Sequence, residues 1–127
     1  MIAIDTNVLV RLLTGDDPDQ TKRAAALFAS NDILIPKTVL LETEWVLRYG
    51  YELTPDAVLS AFRKALGLPR VTVEDAPAVV EALARYAGGM DFADALHLSS
   101  ATKTKAFATF DARLKKRAGR QATVRLL

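Results

Sequence analysis

Short apolar runs, spaced by stretches of helix length, limit this chain to one class of fold. Ile2 to Ile4, "DILIP", "RVTV", "AFATF" and "TVRLL" are each too short and too apolar for an amphipathic helix and read as strands. The segments between them carry helix punctuation. A helical stretch runs from about Asn7 to Leu13 and is closed by Gly15. Asp17 then caps a helix that opens on Pro18 and runs to about Ala29. A further helix spans about Lys37 to Tyr49 and ends near Gly50, and Thr54 with Pro55 starts another that reaches Leu66. "EDAPAVVEALARYAGG" is a helix with a Gly-Gly stop, Asp91 caps one running to about Lys103, and "DARLKKRA" is a short helix before the last strand. Strands alternating with helices specify an α/β sandwich around a largely parallel sheet. At 127 residues, half of them apolar, the chain has material for one core, so residues 1–127 are expected to form a single domain. There is no internal repeat, low-complexity tract or linker.

Cysteine is absent, which excludes disulfides and thiolate metal sites but leaves hard, oxygen-bound cations open. No apolar run approaches the roughly 20 residues that span a bilayer, and no signal directs export, so a cytoplasmic, membrane-free setting is expected. The net charge of +2 conceals an asymmetry. Residues 103 to 127 hold eight lysines and arginines against Asp111 alone, a balance of +7, which leaves −5 for residues 1–102. Lys115, Lys116 and Arg117 are the densest part of that segment. Such a run is either a solvated helix face or a surface that recruits a polyanion by long-range attraction and counterion release.

Four carboxylates stand at unusual places. Asp5 follows the first strand and Asp111 follows "AFATF". Ligands of open parallel sheets bind at the carboxyl ends of strands, so both acids fit a site, although each also fits an N-cap. Glu42, in "TVLLETEWVLR", shares helical spacing with Val39, Trp45 and Val46 and is expected on a substantially buried face. Glu44 is instead expected on the surface, paired with Arg48. In "GGMDFADALHLSSA", Asp91 sits at the N-cap. Asp94, one turn inside and aligned with His97, Leu98 and Ala101, is the better inward-facing ligand. His97 reads as structural or superficial, and the small residues around it as helix packing.

Four carboxylates drawn from two strand ends and two helices cannot all stay ionised in one pocket without compensation. Hard divalent cations such as Mg²⁺ or Mn²⁺ supply it, and these serve phosphodiester chemistry, with one ion or with two about 3.5 to 4 Å apart. Ser-His-Asp catalysis is disfavoured because no serine sits in a Gly-flanked elbow. A receiver-type or phosphatase domain fits poorly, because "DTN" lacks a second aspartate.

"MIAIDTNVLVRLL", "TVLLETEWVLR", "DFADALHLSSA" and "ATFDARL" occur in the order and spacing of the PIN-domain family, and the chain most resembles the VapC ribonuclease toxins of bacterial toxin–antitoxin pairs. The resemblance implies a three-layer α/β/α sandwich with a central parallel sheet, and a Mg²⁺- or Mn²⁺-dependent endoribonuclease. Carried over motif by motif, the acids are Asp5, Glu42, Asp94 and Asp111, with Asn7 and Thr109 as supporting polar positions. Some relatives carry an additional acid shortly after the fourth. Here that stretch reads "ARL", with Arg113 near the position, which leaves one or two ions open. The resemblance further implies a homodimer, an RNA substrate and a small DNA-binding antitoxin of the VapB type. The alternatives are a housekeeping PIN nuclease of RNA processing and a non-catalytic PIN-like RNA-binding module.

Overall fold

The computed structural model describes residues 1–127, which fall into two compact units, Met1–Ala76 and Pro77–Leu127. Every strand pairing in both is parallel. Together with seven α-helices this is the α/β architecture of parallel strands that the alternating pattern specifies.

The first unit holds strands β1 (Ile2–Ala3), β2 (Ile33–Ile35) and β3 (Val71–Val73), hydrogen-bonded in that order. Its helices are α1 (Thr6–Thr14), α2 (Pro18–Ser30), α3 (Lys37–Trp45) and α4 (Pro55–Leu66). The caps are those the residue types predict. Asp17 accepts from the Gln20 amide, and Thr54 accepts from the Ala57 amide, each just before a proline at the first helical position. Gly15 closes α1 in the left-handed conformation. Leu9, Ile33, Ile35, Leu40, Leu47, Val58 and Phe62 are buried completely. Ile2, on the edge strand β1, is 40% exposed, whereas Ile4, just past the strand, is buried.

The helix expected from Lys37 to Tyr49 changes character along its length. It is α-helical to Trp45 and then makes a π-helical turn, Val46–Gly50, closed by the Tyr51 amide donating to the Val46 carbonyl. Tyr51 fastens the end of that turn: its hydroxyl donates to Asp16 and accepts from Arg11. That bond from Tyr51 is the main cause holding the Asp16 carboxyl below the usual carboxylate range, and bonds from Thr14 and Arg11 add to it.

The second unit contains α5 (Ala76–Ala87, its first residue in the first unit), α6 (Phe92–Ser100), β4 (Phe107–Thr109), α7 (Ala112–Ala118) and β5 (Val124–Leu126), with β4 and β5 paired. Val79, Ala82, Phe92, Ala95 and Ser99 are fully buried, and Tyr86 meets the Phe92 ring edge-on at 5.2 Å between centroids. Helix α6 stops at Ser100 rather than at Lys103. The Thr104 hydroxyl takes the Ala101 carbonyl, a local side-chain bond that competes with continuation of the helix.

Candidate active-site residues

Asp5 and Asp111 occupy equivalent positions in their own units, each between the end of a parallel strand and the start of a helix. The Asp5 carboxylate accepts from the Thr6 amide at 2.6 Å and caps α1. Asp111 Oδ1 accepts from the amides of Arg113 and Leu114 at 2.8 and 3.2 Å and caps α7. Both side chains are exposed. Capping and exposure coexist because a cap uses only part of a carboxylate's acceptor capacity, leaving lone pairs for a cation or water. Thr109 supports Asp111 through its hydroxyl, which accepts from the Asp111 amide at 3.0 Å. Asn7 is exposed in the first turn of α1.

The two acids of α3 exchange the places expected of them. Glu44, expected on the surface, is 6% exposed, while Glu42 and Trp45, expected inside, are exposed. The pairing expected for Glu44 does form, with Arg48 Nη1 at 3.3 Å, and it is what a buried carboxylate requires. Glu42 is held from another direction. The buried Thr6 hydroxyl donates to Glu42 Oε1 at 2.5 Å, while its amide bonds Asp5. Thr6 thus links the two acids of the first unit, a role that the sequence pattern assigns to no residue. The available signal was its place at the first helical position, where a side chain turns back toward the preceding strand end.

In the second unit Asp91 caps α6, accepting from the Asp94 amide at 3.1 Å, as expected. Asp94 is half-buried one turn inside and His97 is exposed. Burial raises the Asp94 carboxyl above the ordinary range, and the charges of Asp91 and Asp111 raise it further, against a smaller opposing effect of His97. Lys115 and Lys116 are exposed on α7. Arg117 is partly committed: its Nη1 donates to the Gly89 carbonyl at 2.6 Å, at a turn where Gly89 has a φ of 101°. From α5, Arg85 donates in turn to the Ala118 carbonyl at 3.4 Å. Arg85 thus caps the last carbonyl of α7, and Arg117 holds the turn that follows α5. Beside them a cavity of about 600 Å³ is lined by Glu81, Arg85, Arg117 and Arg120 among others.

Within each unit the candidate acids come as neighbours rather than as a closed cage, and no three His, Asp or Glu side chains there stand together as a metal-holding group. The donor set nevertheless fits a hard divalent ion. It is all oxygen, and in Asp94 it includes a carboxyl under like-charge pressure that a bound cation would relieve.

Parallel strands ending in capping acids, with further acids on the helices, place this chain among α/β proteins. The family model described as PIN domain matches residues 2–120, and the chain belongs to that family. PIN domains are generally nucleases and typically use divalent metals. No curated protein matches the sequence. None of the helices is long and apolar enough to cross a membrane.

Proposed function

We propose that this chain is a Mg²⁺- or Mn²⁺-dependent endoribonuclease, the toxin of a type II toxin–antitoxin pair, with Asp5, Glu42, Asp94 and Asp111 as its metal-binding acids. The observation that carries the reading is the PIN-domain match over residues 2–120, a span that contains all four acids. Asp94 adds to it, since a half-buried carboxyl beside the charges of Asp91 and Asp111 is one that a bound cation would relieve. A bound divalent ion would supply water ionisation and charge balance at a phosphodiester. The chain's own residues do the rest. Asp5 and Asp111 are fixed by the amides they cap, Thr6 orients Glu42, and Thr109 holds the backbone of Asp111. Such fixed carboxylates present a site with little reorganisation.

The toxin assignment, the homodimer and a small DNA-binding antitoxin of the VapB type rest on the resemblance of the four acid-bearing motifs to those of VapC ribonucleases. The residues as a group constitute one functional domain in this reading, acting in the cytoplasm. Purified protein incubated with total RNA is expected to cleave it with Mg²⁺ or Mn²⁺ and to stop in excess EDTA. Undiminished cleavage by protein shown to be metal-free rejects the metal site. Cleavage without growth arrest on induction, or arrest not relieved by the product of an adjacent small gene, favours a housekeeping nuclease.

A further inference from the structure

The helix that carries Glu42 has two sides of opposite character. Leu40, Thr43, Glu44 and Leu47 are buried, whereas Glu42, Trp45 and Tyr49 lie exposed. Trp45 is 62% and Tyr49 64% exposed. Their ring centroids lie 5.6 Å apart at 47°, and the Arg48 guanidinium stands 5.5 Å from the Tyr49 centroid. Trp45 follows Glu42 by three positions and Tyr49 follows Trp45 by four, the spacing that places side chains along one helical face. Tyr49 lies within the π-helical turn, a rare conformation concentrated at functional sites.

We propose that Trp45 and Tyr49 form a stacking platform for unpaired bases of single-stranded RNA, beside Glu42; the proposal rests on the nuclease reading above. Bases offer π-faces to exposed rings, and Arg48, paired with Glu44, lies against the Tyr49 ring and holds it from the protein side. A duplex hides those faces, so the platform selects single strands. A second copy of the chain is the weaker occupant. Two aromatic side chains offer far less than the roughly 800 Å² per partner of a stable interface, and charged Glu42 and Arg48 border them. The platform also starts one helical turn, roughly 5 Å, from Glu42, where a strand engaged by the acids would continue.

Trp45 is the only tryptophan, so the protein's indole emission reports on this face alone. The test titrates the wild-type protein, in Ca²⁺ buffer, with a single-stranded oligoribonucleotide of about ten residues. A blunt duplex of the same sequence and inorganic polyphosphate serve as controls. The expected result is saturable quenching by the single strand only. Affinities of variants are read by the fluorescence anisotropy of an end-labelled copy of the same oligoribonucleotide, because Trp45 variants carry no indole. Trp45→Ala and Tyr49→Ala should each weaken binding about tenfold, with Trp45→Phe retaining most of the affinity and Trp45→Leu little. Absence of quenching, equal quenching by polyphosphate, or equal affinity of Trp45→Leu and Trp45→Phe overturns the proposal. So does an emission shift that depends on protein concentration alone, which would assign the face to a second copy. Cleavage of total RNA is measured in parallel with Mg²⁺ or Mn²⁺ in place of Ca²⁺. Quenching without cleavage rejects the nuclease reading and keeps the platform, whereas cleavage without quenching rejects the platform alone.

Discussion

At the scale of single residues, Asp91 and Asp94 separate a cap from a candidate ligand across one helical turn. Asparagine caps as well as aspartate, so Asp91→Asn should fold and cleave much as the parent does. Asp94→Asn should fold but lose cleavage by orders of magnitude. Its stability also carries a sign. The native carboxyl holds its proton more tightly than the unfolded chain does, because burial, then Asp91 and Asp111, raise it. Native stability is therefore fullest below the ordinary Asp range and declines as pH rises through the raised native value. Asp94→Asn lacks that decline, so in metal-free buffer it should melt higher than the parent above this window and equally below it. Thermal melts across pH, beside an RNA cleavage assay, check both statements. An active, folded Asp94→Asn with an inactive Asp91→Asn would move the ligand by a turn. The division between these two aspartates was legible in the sequence because a cap position has local markers. The division between Glu42 and Glu44 was not, since "LLETEW" flanks both with apolar residues and only packing partners elsewhere in the chain decide which faces inward.

At the scale of elements, α3 contains an instructive defect: the Thr43 hydroxyl is wholly buried and makes no hydrogen bond. Valine has the same branched shape without the polar atom. Thr43→Val should therefore stabilise the protein by about 1 kcal/mol, read as a rise of a few degrees in Tm. An unchanged or lowered Tm would mean the hydroxyl finds a partner in solution. Helix starts and strand cores in the first unit were readable because Asp-Pro, Thr-Pro and β-branched runs act locally. The π-helical turn was not, since its i+5 bond differs from the α pattern by one residue and depends on Tyr51 being tied to Asp16 and Arg11. The end of α6 was missed for a related reason: the competing Thr104 bond has no strong stop signal such as glycine or proline.

At the scale of the whole chain, the basic segment calls for a cleaner experiment than neutralising all three of its central cations, because Arg117 also holds the turn at Gly89. Lys115→Ala with Lys116→Ala removes two exposed charges and spares that turn. RNA binding should weaken, and the log–log salt slope should become shallower by roughly 0.7 for each phosphate no longer neutralised. An unchanged slope would identify α7 as a solvated face. The acids have another whole-chain consequence, one of inheritance. Asp5, Asp91 and Asp111 each begin a helix, and asparagine begins one equally well. Aspartate and asparagine codons differ by a single base, so a gene for this chain lies one mutation away from copies that keep their shape while surrendering any chemistry that needs the charge at Asp5 or Asp111. Such copies would keep the folded surface intact and accumulate as sound but silent protein rather than as debris.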